Sequence, residues 1–449
     1  MNGSLLIRGG RVLDPGRGLD TTADVLIEGG RIAEVGAALA AAQAQVIDAS
    51  GLVVCPGFVD IHCHLRDPGF EHKETIETGT RAAARGGFTT VCCMPNTEPP
   101  IDSRAAVEYV LRTAAALGLV RVLPIGCVSR GRHGETLAEL ADMAEAGAVG
   151  FSDDGNPVAG GALMRRALEY SLALGLPIID HCEDSSLSKE GVMHEGWVAT
   201  RLGLRGQPAA SEEAAVARDI ALAEFTGAHV HIAHVSTRGS VDLVRAARAR
   251  GVHVTAEVTP HHLTLTHEAV AFAPGGNGGL IYDTNAKVNP PLRTPEDVDA
   301  CIEGLLDGTI DAIATDHAPH AVEDKLCEFD QAAFGISGLE TVLGALLTLV
   351  PGNRLDLPTV VEKLTAGPVR ALRLDRHPGL EGLGTLSPGA PADVVVFDSK
   401  REWVVEPERF ASKGRNTPLA GRTLRGQVVA TVCGGRVVYA LEAAGIAAM

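Results

Sequence analysis

Eight short apolar runs, each ending in turn or polar residues and each followed by an Ala-, Leu- and Glu-rich stretch, predict an α/β chain closed as a (β/α)8 TIM barrel. Strand-like texture at both ends adds a small β-sandwich domain formed by the N- and C-terminal segments. The third observation is positional. The His, Asp and Asn side chains that carry chemistry fall at the carboxyl ends of the apolar runs, the rim on which this architecture builds its sites.

Near the N-terminus, LLIRGGRVLD and ADVLIEGGRIAEVG alternate and are broken by Gly-Gly turns, a hairpin pattern. PADVVVFD, EWVVE and GQVVATVCGGRVVYA repeat that texture at the far end. A lone hairpin is marginal in water, so residues 1–54 and 377–449 are expected to join, with a barrel over 55–376 inserted between them. The barrel strands are read in VCPGFVDIHCH, TTVCCMPN, VRVLPIGCVS, AVGFSDDG, PIIDHCED, HVHIAHVS, VHVTAEVTPHH and IDAIATDHAPH. Helices are read in stretches such as HKETIETGTRAAARGG, SRAAVEYVLRTAAALG and EEAAVARDIALAEFTG. A doubly wound sheet is the alternative, but eight regular units favour closure. From His267 to Arg293 the pattern breaks into a long Gly/Pro-rich run, and long loops in compact domains are commonly functional.

The 449 residues carry a formal net charge of −17, which argues against nucleic acid. A local Arg or metal can still hold an anionic small molecule. Apolar residues make up 45% of the chain, but no run reaches the roughly 18 needed for a membrane span. The start, MNGSLLIRGGRVLD, has no secretion-signal pattern. Nine scattered cysteines without a CxxC pair suit a reduced, cytoplasmic setting.

GFVDIHCHLRDPG, residues 57–69, places two histidines where a core strand finishes. His62 and His64 are two apart and share a face; Cys63 points the other way and packs. Asn96, the pair Asp153 and Asp154, His181, His234 and Asp316 end other strands. A lone HxH is more often packed or solvated than ligating; the co-location on several strand ends is what points to metal. Four imidazoles and two carboxylates exceed one tetrahedral ion, so a two-metal site with a bridging carboxylate is expected. Strand parity leaves Asp153 and Asp154 undecided. Parity also puts His229 and His231 on one face and His234 on the other, so at most one set should line the pocket interior. His261 and His262 are read as support; His72, His133, His194 and His377 as solvated. PGGNGGL lacks the strand and helix order of a phosphate loop.

PGFVDIHCHLRDPG, MPNTEPP, GFSDDG, DHCED, AHVS, TPHHL, KVNPPLR and TDHAPH, with SKGRNTPLAGRTLRG and ADVVVFD later on, resemble the dihydroorotase branch of the amidohydrolase superfamily. Within it, the pattern is most similar to the class I bacterial enzymes. HxH alone is shared with hydantoinases and allantoinases; HLRDPG, MPNT and KVNPPLR are more specific. The resemblance implies two zinc ions bridged by Asp154 and a hydroxide. His62, His64, Asp154 and Asp316 would bind one ion, and Asp154, His181 and His234 the other. Asp316 would also be the catalytic base. His64, Arg66, Asn96, Asn289 and His320 would hold substrate, with the backbone around Phe334 and Gly335 against its ring. AVGFSDDG lacks the carboxylated lysine that many superfamily members use as bridge, so the second ion is expected to be held loosely.

The implied reaction is the reversible cyclisation of N-carbamoyl-L-aspartate to L-dihydroorotate in pyrimidine (UMP) synthesis. The implied partners are that small-molecule substrate, a second copy of the chain in a homodimer, and aspartate carbamoyltransferase; nucleic acid and membrane are not among them. Arg66 has a plainer reading as a surface ion pair with Asp67 or a nearby Glu. For the whole chain the alternatives are a hydantoinase- or allantoinase-like cyclic amidase and a non-catalytic scaffold for the transferase. Six filled ligand positions count against the scaffold. The charged loop from about Ala318 to Gly335 is expected to cover the site on binding.

Overall fold

The computed structural model describes residues 4–41, 43–272 and 280–442. The PGGNGG stretch lies outside the described residues. Strands Phe58–Cys63, Phe88–Cys93 and Arg121–Pro124 pair in parallel. Ile178–Asp180, Val230–Ile232, Val254–Val258 and Ala312–Ile313 form a second parallel group. Parallel bridges Gly126–Phe151, Phe151–Ile178 and Cys63–His317 join the two groups into a closed ring.

The fourth position, read from AVGFSDDG, is a pair of bridges at Phe151 rather than a strand. The cause is local. The Asp153 carboxylate accepts the Val128 and Ser129 amides at 2.9 and 3.0 Å, so a side chain replaces part of the ladder there.

Helices wrap the ring with clear terminal signals. Thr75 forms a capping box before Ile76–Gly86, and Gly87, at φ 94°, ends it in the left-handed conformation glycine tolerates. Thr294 does the same before Pro295–Leu306, with Pro at the first turn. Val59, Ile61, Cys92, Ile125, Val149, Ile179 and Ala312 fill the lower barrel together with Val369, Ala371 and Leu372. The last three belong to helix Ala366–Leu372, which packs against the first and last barrel strands and occupies the amino-terminal mouth. The carboxyl rim is left for chemistry.

The two chain ends meet in one eight-stranded sheet of the accessory β-sandwich. Its seam is the antiparallel pairing of Val394–Phe397 with Val53–Pro56. Strand Leu5–Asp14 then pairs with Leu19–Glu28, Gln45–Asp48 and Val53–Pro56, while Thr423–Cys433 and Arg436–Ala440 extend the other side. Ile7, Val25, Ile47, Val54, Val394 and Val432 form its separate core. The nine cysteines are free, and all but Cys327 are buried. Among the described residues no helix is long and apolar enough to cross a membrane.

Candidate active site

The Asp154 carboxylate sits among four imidazoles. Its Oδ1 lies 3.4 Å from His62 Nε2, 3.6 Å from His181 Nδ1 and 3.5 Å from His234 Nε2. Its Oδ2 lies 3.6 Å from His64 Nε2. Asp316 Oδ1 is 2.9 Å from His64 Nε2 and 3.6 Å from His62 Nε2. All six side chains are buried.

Outside acceptors set the orientation of three rings. His62 Nδ1 lies 2.6 Å from Glu257 Oε1, and Glu257 Oε2 is 3.2 Å from His231 Nε2. His64 Nδ1 lies 2.8 Å from Asn96 Oδ1. His181 Nε2 lies 3.1 Å from Glu183 Oε2, which also accepts from Asn289 Nδ2 at 2.7 Å. A ring that donates outward leaves its other nitrogen as a lone pair facing the centre. Asp60 fixes the first strand to the eighth by accepting the Thr315 amide at 2.9 Å and the Thr315 hydroxyl at 2.5 Å.

The site's polarity calls for a cation. Among the described residues, His62 Nε2 and Asp154 Oδ1 are buried without a hydrogen-bond partner. Two donors at about 2.0–2.1 Å from one tetrahedral zinc stand roughly 3.3 Å apart, near the separations around Asp154. Burial alone would lift Asp154; the imidazoles of His62, His181 and His234 hold it well below the carboxylate range. Burial opposes charge on His62, yet Asp154 and Glu257 raise it well above its ordinary value. His181, likewise against burial, is raised to about 10 by Asp154 and Glu183. Two of these rings hold protons where a divalent ion would supply positive charge, whereas burial lowers His64, so these donors fit a metal.

A cavity of about 210 Å³ opens over the centre. Every site residue read from the sequence lines it except His62, which lies beneath. Arg66 donates from Nε to the Pro319 carbonyl at 3.3 Å and approaches His320 Nε2 at 3.5 Å. Asp67 binds the Tyr109 hydroxyl at 2.9 Å instead, and among the described residues no carboxylate pairs with Arg66. His320 Nε2 donates to the Phe334 carbonyl at 2.8 Å. Gly335 has φ 142°, and a Cβ there would meet Ala318 Cβ at 2.7 Å; only glycine fits this wall without strain. Asn289 Oδ1 accepts from Gln207 Nε2 at 3.0 Å.

One expectation about histidines fails and one holds only in part: His234 lines the pocket and His229 and His231 do not, but His231 and His234 do not face opposite ways. His231 faces the barrel interior beneath Glu257 although His234 also faces the centre. Strand parity ends at Ile232, and His234 takes φ 33°, which re-aims its side chain. Arg66 and Asp316 have φ 61° and 43°, so three site residues hold backbone that L side chains adopt at a cost of about 1–3 kcal/mol. His194 is buried rather than solvated, 3.3 Å from Arg293 Nη1. His72 and His133 are exposed, and His377 is half-buried. Asp153 is the structural member of its pair. Glu257, Glu183, Asp60 and Gln207 were not singled out from sequence. A glutamate inside the apolar run VHVTAEV was the one visible signal, since a charge in a core strand needs a buried partner.

A third group, Asp180, Cys182 and Asp219, is also close-set. Arg218 pairs with both aspartates at 3.5 and 2.7 Å, and burial and Asp180 raise the Asp219 carboxyl well above its usual range, so one cation meets about one negative charge without a metal.

A barrel whose carboxyl rim collects four histidines and two aspartates beside an arginine is the framework of a hydrolase of the amidohydrolase class. Comparisons narrow the class. The family model for dihydro-orotase-like proteins matches residues 51–240, and that for the amidohydrolase family matches 295–439. A dihydroorotase of Pelotomaculum thermopropionicum is 56% identical over 97% of this chain and 98% of its own length. One from Syntrophotalea carbinolica is 52% identical over 98% of this chain and 99% of its own. The solved structure of L-hydantoinase (dihydropyrimidinase) from Arthrobacter aurescens superposes with a TM-score of 0.84 at 27% identity, covering 98% of this chain and 96% of that one. Dihydropyrimidinase from Brevibacillus agri NCHU1002 shares the fold, with a TM-score of 0.82 at 24% identity over 97% and 95% of the two chains. The chain belongs to the dihydroorotase family and is a cyclic amidohydrolase.

Proposed function

We propose that this chain catalyses the reversible cyclisation of N-carbamoyl-L-aspartate to L-dihydroorotate as a class I bacterial dihydroorotase using two zinc ions. The supporting observation is the Asp154 carboxylate, set among four imidazoles with both oxygens facing ligand nitrogens, where other superfamily members would need a modified lysine. His62, His64, Asp154 and Asp316 would hold one ion; Asp154, His181 and His234 the other. When bound, zinc supplies Lewis acidity toward the amide carbonyl and toward water.

The remaining steps belong to the chain. Burial would lift the Asp316 carboxyl, but its bond to His64 and the nearby His62 hold it far below its usual range. It is therefore ionised at neutral pH, the state in which it can accept a proton from the attacking water and return it to the leaving ring nitrogen, its weak basicity being matched by the acidity that bound zinc would give that water. In the closing direction the same proton runs back. Arg66 offers a planar fork to the substrate carboxylate. Burial lowers its guanidinium to about 10, so it stays charged at neutral pH. Asn96 and His64 border the ring, Asn289 and His320 flank it, and the main chain at Phe334 and Gly335 offers it peptide groups.

The same reading divides the chain at 1–54, 55–376 and 377–449. It places the enzyme in the cytoplasm, as a homodimer able to associate with aspartate carbamoyltransferase. Parallel assays of dihydroorotate, hydantoin and allantoin on the zinc-loaded chain test the substrate. Turnover of dihydroorotate with little on the other two supports the reading; preference for hydantoin or allantoin would overturn it.

A further inference from the structure

Two lysines lie buried behind the Phe334–Gly335 wall, and among the described residues neither forms an ion pair with a carboxylate. Lys325 is 5% exposed and Lys287 2%. Lys325 Nζ donates to three main-chain carbonyls: Thr284 at 3.0 Å, Lys287 at 3.3 Å and Ala333 at 2.6 Å. Lys287 Nζ donates to the Phe329 and Asp330 carbonyls at 2.8 and 3.1 Å and stands 4.5 Å from the Phe334 ring centroid. The Gly335 amide donates to the Lys287 carbonyl at 2.9 Å. The Thr284 hydroxyl donates to the Lys325 carbonyl at 2.7 Å.

Burying an ammonium without a counter-charge is costly. Here its three N–H groups meet three carbonyls, a match that a neutral amine cannot make, having two N–H groups and a lone pair. Two of the acceptors lie on the segment leading to Asn289, and the third lies two residues before Gly335. Both segments line the pocket.

We propose that Lys325 is a positioning residue for substrate: its ammonium clamps the Ala333–Gly335 backbone onto the 284–289 segment, with Lys287 as a second staple. This rests on the reading above that Gly335 and Asn289 meet the substrate. The clamp is sensitive to pH. Burial first, then the charge of Lys287, bring Lys325 down to about 7, while Asp283, Asp324 and Cys327 act the other way. Arg422 faces Asp283, and His320 and Lys73 face Asp324. As pH rises through about 7 the third N–H is lost and one carbonyl is released.

The test uses the zinc-loaded enzyme between about pH 6 and about pH 9, reading kcat, KM for dihydroorotate and the hydrogen-exchange protection of the Gly335 amide, in wild type and Lys325→Met. Loss of a charged hydrogen-bond donor corresponds to about a tenfold rise in KM in the variant at the acid end, with kcat changed less. Wild-type KM rises severalfold across the interval and Gly335 protection falls; the variant's KM is flat. Parallel KM profiles in the two proteins, or wild-type protection that stays constant, overturn the proposal. Should Lys325→Met fail to fold, wild-type protection decides alone. An enzyme inactive on dihydroorotate would sink the substrate reading, and the protection profile would still judge the clamp.

Discussion

Replacing Glu257 by Gln keeps the volume of the side chain and removes its charge. Glu257 is fully buried. Burial would raise its carboxyl, but His62 and His231 hold it at about 2, so it is ionised at every working pH. It bonds His62 Nδ1 at 2.6 Å and His231 Nε2 at 3.2 Å. Hydrogen bonds to a charged group contribute about 1.5–3 kcal/mol. Gln offers one acceptor and one donor. If its amide nitrogen faces His62, that ring must move its proton to Nε2, the atom aimed at Asp154. If its oxygen faces His62, the bond survives but loses its charge. Either way zinc affinity should fall about 10- to 100-fold, or ~1.4–2.7 kcal/mol. Chelator competition on the purified chain measures this, with a circular-dichroism melt to establish folding, and excess zinc should restore most turnover. Affinity within twofold of wild type, in a folded variant, would refute the role given to this contact.

Asp316→Asn should lower kcat by about 10²–10⁴ while the chain stays folded; turnover near wild type would remove it as base. Arg66→Met should leave zinc content unchanged and raise KM for dihydroorotate about 10- to 100-fold, since it forfeits a bidentate charged contact; steady-state kinetics beside metal analysis decides. Glu340 gives a pH test of stability. Burial lifts its carboxyl from 4.5 to about 7 against Arg85 and the amides of Ala411 and Ser412. The folded chain thus keeps this proton where the unfolded chain has released it, and stability falls as pH rises from about 4.5 through about 7. The loss is on the order of 3 kcal/mol. Thermal melts should show Glu340→Gln gaining on wild type over that interval; a constant difference would refute the assignment.

The barrel was legible because its strands are apolar runs with polar residues at the rim, and that pattern survives in local sequence. The fourth strand was overread: GFSDDG has the composition of a strand end, but Asp153 spends its carboxylate on the neighbouring backbone. Candidate ligands were legible from residue type and from their shared place at strand ends, and the structure gathers those six side chains around Asp154 and Asp316; which of Asp153 and Asp154 faces them was not legible from spacing. Nor were directions. His234 leaves strand geometry at φ 33°, so counting in twos placed it opposite His231 when both face inward. Glu257 and Lys325 illustrate the deeper limit. Each is defined by partners far along the chain, His62 for one and Thr284 for the other, and spacing carries no record of such meetings. His194 went astray for the same reason, through Arg293.

Anomalous diffraction at the zinc edge, from crystals grown with excess zinc, tests the central claim most directly. Two peaks flanking Asp154 are predicted, one shared with His62, His64 and Asp316 and the other with His181 and His234. Peaks placed elsewhere, or no peak at Asp154 in crystals of active enzyme, would contradict it.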